Sequence, residues 1–335
     1  MTLAGTSLPP LRYLPAAGLE ACLPGVTERI GLAEQALVAL ATGGAEMPAK
    51  IGVHPRDGAL LHAMPAWLRT QDLVGLKWVS AFPGNRRHGL PAISGLIVLN
   101  DPQTGVPTWV LDAARITAVR TAAVSGLAIR LLAPAGASRV ALLGAGVQAV
   151  SHLEVLATLL PDARVALLGR DRGRAAAVAA EANAAVGRDW VSLAGSSAEA
   201  VGGADVVITV ASFDARPERL GPADVSPGAL VVAVDFATYV RPELALQARL
   251  FAVDDREQYM HYRALGYFDG YPEPGLTLGE LTRRGTGNGA AEQDGSDEAR
   301  PALVTHLGVG LADVIFADAI CRRAADAGAG VELER

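Results

Sequence analysis

Apolar residues from position 139 onwards recur as short runs that alternate with helical patterns. Strand-like runs occur at Val140–Leu143, Val165–Leu168, Val206–Val210, Leu230–Val234 and Leu250–Val253. Helical periodicity appears between the earlier runs, at Gln148–Leu159, Gly173–Val186 and Ser197–Val201. Apolar strands that alternate with helices are typical of a parallel sheet covered on both faces. This part of the chain is therefore predicted to be α/β, with a doubly wound parallel sheet.

The N-terminal part of the chain has a different pattern. After an amphipathic helix over 26–42, strand-like runs punctuated by Pro and Gly occur at Lys50–His54, Ala59–Met64, Gly75–Ser80, Ile93–Leu99 and Thr108–Leu111. A hairpin turn at 100–105 and a helix over 116–132 complete a mostly antiparallel α+β domain. A final helix over 310–327 is expected to pack back on it. The predicted domains are 1–125 with 305–335, and 126–304, with a mobile surface loop over 285–300.

Composition narrows the function classes. The 335 residues are 50% hydrophobic and carry a formal net charge of −6 without a long run of one sign, so we expect neither nucleic acid nor a membrane surface as partner. No 18-residue apolar stretch and no secretory signal are found. Two cysteines, Cys22 and Cys321, favour a reduced cytoplasmic protein. No Cys/His spacing is typical of zinc, so no metal is expected.

The clearest motif is Gly144-x-Gly146-x-x-Ala149, which follows an apolar strand and opens a helix. Gly144 permits the tight turn, Gly146 lets the backbone approach a pyrophosphate, and Ala149 lets the helix pack on the strand. The helix N-terminus offers unpaired N–H groups to the phosphates. The motif predicts a nicotinamide or flavin dinucleotide site. The alternative is a glycine-rich turn that binds no ligand.

The residues after the second strand bear on the choice of nucleotide. An NAD site usually has an acidic residue here, whereas an NADP site has a small residue with Arg nearby. The chain has Gly169 followed by Arg170, which favours NADP(H). NAD(H) stays possible because Asp171 could still bind the ribose. A solvated Arg/Asp turn is the structural alternative.

Four charged residues are candidates for chemistry. Asp235 ends an apolar strand, where its pKa could be raised into a useful range, although Asp after a strand often caps a helix. Arg120 lies among small and apolar residues and needs an anionic partner, either a substrate carboxylate or a buried structural ion pair. Lys77 and Lys50 are further possible cations.

Together these segments resemble the ornithine cyclodeaminase/mu-crystallin family. The matching segments include Met47-Pro-Ala-Lys50, Gly75-Leu-Lys-Trp-Val-Ser-Ala-Phe-Pro-Gly-Asn85, Ile116-Thr-Ala-Val-Arg-Thr-Ala-Ala123 and Leu143-Gly-Ala-Gly-Val-Gln148. The resemblance implies a Rossmann domain plus a substrate-binding and dimerisation domain closed by the C-terminal helix. It also implies a homodimer that acts on α-amino or imino acids with NAD(P).

The same resemblance implies roles for individual residues. Lys77 and Arg120 match positions that hold the substrate carboxylate. Lys50 stands where many members have Arg, which keeps the charge but loses the two-pronged contact. Asp235 matches the catalytic aspartate that faces the substrate nitrogen, and Lys77 is assigned to catalysis with it. The predicted cofactor contacts are Thr121, Gly144, Ala145, Gly146, Val147, Gln148, Arg170 and Ser212.

Several reactions share this core of hydride transfer at Cα. A ketimine reductase reduces a cyclic imine, whereas a cyclodeaminase oxidises ornithine, closes the ring and returns the hydride. An amino-acid dehydrogenase or N-alkylating synthase works through an open imine. A non-catalytic NADP-binding protein is the competing class. Because a cyclodeaminase usually carries NAD, the NADP(H) preference favours net imine reduction.

Overall fold

The structure is a computed structural model that describes residues 8–212, 215, 217–285 and 299–335. Most of the loop predicted over 285–300 lies outside the described residues. The chain forms two compact units, the first made of 1–32, 42–120 and 309–335, the second of 33–41 and 121–308. The sequence prediction places these divisions at 125/126 and 304/305 and assigns no part of the first helix to the second domain.

The first unit is built on an antiparallel sheet with one parallel pair. Its strands are β1 (Leu11–Leu14), β2 (Ala45–Glu46), β3 (Ile51–Arg56), β4 (Ala59–Leu68), β5 (Leu73–Ala81), β6 (Ile93–Asn100), β7 (Pro107–Asp112) and β16 (Val331–Leu333). Their order is β16-β1-β7-β6-β5-β4-β2, with β3 also pairing with β4, and β1–β7 is the parallel pair. The predicted turn joins β6 to β7, where Asp101 Oδ1 accepts hydrogen bonds from Gln103 and Thr104.

Two helices of the first unit contact this sheet, α1 (Ala16–Leu19) at β7 and α10 (Gly310–Asp326). Helices α2 (Val26–Ala41) and α3 (Ala114–Leu132) are divided between the two units. As predicted, α10 packs back on the first unit, against β4, β5 and β6. The approach is close, because a Cβ added to Gly310 would lie 2.8 Å from the carbonyl oxygen of Met64. Positions 309–317 are therefore buried, and an ionisable side chain there has no access to water.

The second unit is a parallel sheet with helices. Its strands are β8 (Arg139–Leu143), β9 (Arg164–Leu168), β10 (Val191–Leu193), β11 (Val206–Thr209), β12 (Leu230–Ala233), β13 (Leu250–Val253), β14 (Leu276–Thr277) and β15 (Ala302–Thr305). Their order is β10-β9-β8-β11-β12-β15-β13-β14, and each described pair is parallel. The order reverses between β8 and β11, so ligands are expected at the carboxyl ends of these strands. The predicted doubly wound α/β fold is confirmed.

The helices of the second unit are α4 (Val147–Leu159), α5 (Arg172–Val186), α6 (Ser197–Val201), α7 (Pro242–Gln247), α8 (Arg256–Ala264) and α9 (Leu278–Arg284). The sequence predicts α4 to α6 but not α7 to α9, β10, β14 or β15. Strand β15 ends five positions before α10 begins, so its apolar run is not set apart from that of the helix. Helix α9 has a detectable signal, because Thr277 and Glu280 form a reciprocal capping box. Among the described residues, no helix is long and apolar enough to span a membrane.

Candidate active site

The first unit contains a buried ion-pair cluster on one carboxylate. Lys77 projects from β5, Arg120 from α3 and Asp313 from the first turn of α10, and all three side chains are buried. Lys77 Nζ lies 2.6 Å from Asp313 Oδ2, and Arg120 Nε donates to Asp313 Oδ1 over 2.9 Å. The structure therefore brings together two of the predicted substrate-binding cations. It also gives Arg120 the buried protein ion pair that the sequence left as an alternative.

Burial and neighbouring charge make Lys77 an unusual lysine. Burial lowers its pKa to about 7, and the positive charges of Arg120 and Lys50 add to the lowering, whereas Asp313 opposes it. A lysine of this kind can exchange a proton near neutral pH, which an arginine cannot. Lys77 thus satisfies a requirement for proton transfer in addition to charge recognition.

Lys50 and His62 belong to the same cluster. Lys50, directly before β3, is buried, and so is His62 on β4. Burial, followed by the charge of Lys50, lowers the pKa of His62 to about 4. His62 is therefore neutral at physiological pH. The positive charge of the cluster comes from Lys50, Lys77 and Arg120, the three residues that the resemblance assigns to the substrate carboxylate.

Asp313 is not among the residues predicted from the sequence. Its local signal is a single carboxylate within the otherwise apolar or glycine-containing run over 309–317. A buried charge is costly unless it is paired, so such a residue indicates a buried cationic partner. The sequence does not identify the partners, because Arg120 lies 193 positions away.

The glycine turn of the second unit has the geometry that a dinucleotide requires. Gly144 has a φ of +126°, and a Cβ there would lie 2.7 Å from the carbonyl oxygen of Val210. Gly146 is the N-cap of α4 without a side-chain capping bond, and a Cβ there would meet open space. Gly144 is thus required by the protein itself. Gly146 leaves room for a ligand beside the N–H groups that begin α4.

The other predicted cofactor contacts lie in the turn after β8, at the start of α4, on α3 and after β11. Ala145 is half-buried in the turn, and Val147, the first residue of α4, is 60% exposed. The buried Oε1 of Gln148 has no hydrogen-bond partner within the described ranges, which fits a ligand donor. Thr121 is buried on α3, and Ser212 follows β11.

The segment after β9 explains why an acidic residue is absent there. A Cβ at Gly169 would lie 2.7 Å from the Cβ of Ala145 and 2.9 Å from that of Ala175, so no larger side chain fits. Asp171 caps α5 by accepting a hydrogen bond from the N–H of Arg174 over 3.0 Å. Asp171 was the carboxylate predicted as a possible partner of the ribose, and one of its oxygens is therefore already bound to the N-terminus of α5. Arg170 is exposed beside this N-terminus.

Asp235 lies just beyond the end of β12 and is completely buried. Its Oδ2 accepts a hydrogen bond from the N–H of Ala211 over 3.3 Å, whereas Oδ1 has no hydrogen-bond donor among the described residues. Burial raises its pKa to about 6, against the opposing effects of the Thr209 hydroxyl and nearby backbone N–H groups. The carboxyl group is thus not a helix cap, and it can exchange a proton near neutral pH.

The backbone that follows Asp235 is strained. Phe236 and Ala237 have φ values of +51° and +61°, a conformation that costs a residue other than glycine about 1–2 kcal/mol. The ring of Phe236 packs edge-to-face on Tyr262, with centroids 5.3 Å apart, and stacks on Phe268 at 6.1 Å. This aromatic packing holds the strained turn, and with it the position of Asp235. The sequence contains no signal for either feature.

A buried polar chain adjoins the dinucleotide helix. Ser125 Oγ lies 2.8 Å from His152 Nε2 and 2.9 Å from His306 Nε2, and His152 Nδ1 lies 2.7 Å from the carbonyl oxygen of Gln148. Because a carbonyl only accepts, His152 Nδ1 donates, and burial lowers the pKa of His152 to about 4. His152 Nε2 therefore accepts from Ser125, whose oxygen accepts from His306. The chain ties α4 to α3 and to the end of β15, and the sequence does not predict it.

Comparisons with known proteins agree with this geometry. The model of the ornithine cyclodeaminase/mu-crystallin family matches residues 22–291. The chain is 36% identical over 289 residues to nodulation efficiency protein NfeD of Rhizobium meliloti, covering 86% of this chain and 87% of that protein. It is 33% identical over 256 residues to the Δ1-pyrroline-2-carboxylate/Δ1-piperideine-2-carboxylate reductase of Azospirillum brasilense, with coverages of 75% and 78%. Among solved structures, an archaeal alanine dehydrogenase dimer with bound NAD has a TM-score of 0.83 at 26% identity, covering 97% of this chain and 99% of that one.

Proposed function

The chain belongs to the ornithine cyclodeaminase/mu-crystallin family, and on that premise we propose that it reduces a cyclic α-imino acid with NADP(H). Membership confirms the prediction of an NAD(P)-dependent enzyme that transfers hydride at Cα of an α-amino or imino acid. The cyclic imine and the preference for NADP(H) are the proposed refinements.

One observation carries the proposal: a proton-exchanging carboxyl group lies at the carboxyl ends of the parallel strands, where the glycine turn for the nucleotide also lies. Strands β8, β11 and β12 are neighbours, Gly144 follows β8 and Asp235 follows β12. Val210 and Ala211 link them, since Val210 approaches Gly144 and Ala211 donates to Asp235. An acid at this edge suits a reaction that couples hydride transfer to protonation of a nitrogen.

The proposed roles divide recognition from proton transfer. Lys77 and Arg120, with Lys50, bind the α-carboxylate of the substrate, because buried cations favour a carboxylate over neutral groups. Asp235 exchanges a proton with the substrate nitrogen. The nucleotide supplies or accepts the hydride at its nicotinamide ring. The Asp235 and Lys77 pKa values of about 6 and about 7 let both groups change protonation near neutral pH.

The preference for NADP(H) is supported by the segment after β9. Gly169 cannot be replaced by an acidic residue, and Arg170 is exposed beside it. Arg172 and Arg174 lie in the first turn of α5, which contains no acidic residue. Because a helix N-terminus disfavours cations, three arginines near this one, beside the capping carboxylate of Asp171, support the binding of an anion such as the 2′-phosphate.

The predicted homodimer is supported by an exposed apolar row on the first sheet. Ile51, Trp78 and Leu96 lie in register across β3, β4, β5 and β6, with exposed fractions of 66%, 42% and 42%. Adjacent residues of a strand point to opposite faces, so Trp78 faces outward where Lys77 faces inward. Exposed apolar clusters of this kind mark interaction sites, and we propose that a second copy covers this one. The proposed location is the cytoplasm, consistent with the free, buried Cys22 and Cys321.

A substrate panel tests the proposed reaction. Oxidation of NADPH and NADH is followed with Δ1-pyrroline-2-carboxylate, Δ1-piperideine-2-carboxylate and pyruvate plus amines, beside an ornithine-to-proline assay. NADPH oxidation with a cyclic imine, lost in Asp235→Asn, is the expected result. Proline formation from ornithine without net nucleotide change would indicate a cyclodeaminase, and turnover of pyruvate with an amine would indicate a dehydrogenase or N-alkylating synthase. Nucleotide binding without any turnover would indicate a binding protein.

The nucleotide preference is tested separately by affinity. We expect Arg170→Ala to raise the Kd for NADPH about tenfold or more, because a charge-assisted hydrogen bond contributes ~1.5–3 kcal/mol, and to leave the Kd for NADH nearly unchanged. Arg164→Ala is the matched control, because Arg164 is exposed at the opposite end of β9. Tighter binding of NADH than NADPH by the unaltered protein would refute the preference.

A further inference from the structure

The distribution of lysine in this chain is uneven. Of the 29 basic residues, two are lysines, Lys50 and Lys77, and the others are arginines. Both lysines are buried, and the charge of each affects the same cluster. A chain that uses arginine for every other cation has lysine only where the cation is buried beside other cations. Arginine stays protonated there, whereas lysine can release its proton.

The groups that face Lys77 come from three elements and from the segment before β3. Arg120 projects from α3, Asp313 from α10 and His62 from β4, and Lys50 precedes β3. Among these groups the carboxylate of Asp313 is the one anion, and it is 0% exposed. It contacts Lys77 Nζ at 2.6 Å and Arg120 Nε at 2.9 Å. Because Asp313 contacts Arg120 through Nε, the two terminal nitrogens of the guanidinium are not used in this contact.

We propose that Asp313 is a positioning residue that keeps Lys77 protonated and turns the terminal edge of the Arg120 guanidinium toward the substrate carboxylate. The role at the substrate rests on the proposed function, whereas the effect on Lys77 does not. Without the negative charge of Asp313, burial and the charges of Arg120 and Lys50 would all favour the neutral amine of Lys77. Lys77 would then lose its proton below neutral pH and with it its attraction for a carboxylate.

The two-lysine composition makes a direct measurement possible. Protein labelled with ¹³C at the lysine ε-carbon gives two lysine signals, which Lys50→Arg assigns, and each signal reports the protonation of its own amine. In the unaltered protein we expect Lys77 to titrate near neutral pH. In Asp313→Asn we expect its midpoint to fall by at least one pH unit, with a smaller change at Lys50. Asp318→Asn is the control, since Asp318 lies on the same helix and pairs with Arg322 at the surface.

Each outcome decides the proposal. An unchanged Lys77 midpoint in folded Asp313→Asn would overturn it, because a purely structural aspartate would affect stability alone. If Asp313→Asn does not fold, the measurement is made on Asp313→Glu, which keeps the charge but moves the carboxylate away from its 2.6 Å contact, and an unchanged Lys77 midpoint there would overturn the proposal as well.

Kinetics then separate this role from the proposed reaction. We expect Asp313→Asn to raise KM for the imino acid more than it lowers kcat, with the alkaline limb of the kcat/KM profile moved to lower pH. An NMR shift without turnover on any substrate would refute the proposed function and retain the effect of Asp313 on Lys77.

Discussion

Replacing Asp235 by Asn should stabilise the protein at neutral pH while it removes activity. The folded protein holds this carboxyl group at a pKa of about 6, above its ordinary value of 3.8, because burial disfavours the anion. Between these values the folded protein binds more protons than the unfolded chain, so its free energy of unfolding falls as the pH rises. Well above pH 6 the carboxyl group is ionised in both states, and the folded protein bears the whole free-energy cost of burying the anion. The difference between the two pKa values corresponds to a cost of ~3 kcal/mol.

The asparagine variant avoids this cost because it cannot ionise. Its amide can still accept from the N–H of Ala211, and the Thr209 hydroxyl lies nearby. By linkage we expect the variant to be more stable than the unaltered protein by ~3 kcal/mol at about pH 7.5 but only ~1 kcal/mol at about pH 4.5. For a unit of about 200 residues, the larger difference raises Tm by roughly 7 °C. The kcat should fall by about 100-fold or more, since the proton-exchanging group is lost.

Scanning calorimetry at the two pH values, combined with the imine reduction assay, measures both effects. Asp162→Asn is the matched control, because Asp162 is exposed, and its stability should stay within ~0.5 kcal/mol of the unaltered protein at both pH values. Burial would not destabilise the ionised form of Asp235 if the stability difference between the two proteins did not depend on pH. The same would follow if the asparagine variant were less stable than the unaltered protein at about pH 7.5.

Four further substitutions test other parts of the structure. Gly146→Ala should leave Tm unchanged, because its Cβ would meet no protein atom, and should raise the Kd for the nucleotide. Gly144→Ala should lower Tm through its positive φ and its contact with Val210. Equal effects of the two substitutions on Tm would contradict this assignment. Trp78→Glu should dissociate the proposed homodimer in sedimentation experiments, and an unchanged mass would place the interface elsewhere. Ser125→Ala removes the hydroxyl that joins two histidines and should lower the free energy of unfolding by ~1–3 kcal/mol in urea titrations; no change would mean that water replaces it.

Much of the fold could be predicted because its signals are local. The apolar runs, the alternation with helices and the glycine turn each span fewer than about 20 residues, the range over which strand and helix periodicities act. The antiparallel strands β3 to β7 and helices α2 to α6 are found within a few residues of the predicted bounds. Most of the elements that were missed are short, such as β2, β10 and β14, and α8 is a helix of nine mostly polar residues.

The site was predicted in part for the same reason. Lys77, Arg120 and Asp235 could be singled out because charged side chains in apolar surroundings are costly and must have partners. The choice among partners depends on which segments meet in space. Asp313 is far from both of its cations along the chain, and the Ser125 chain joins three separate elements.

The sequence by itself thus determined the α/β class, the dinucleotide turn and which ionisable residues require an explanation. Tertiary structure alone decided that one carboxylate on α10 serves both Lys77 and Arg120, that Asp235 has no capping role, and that aromatic rings hold the strained turn beside it. The physical reason is that backbone periodicity and glycine sterics are properties of neighbouring residues. Burial, ion pairing and pKa shifts arise from contacts between residues distant in the chain, which exist only once the topology has formed.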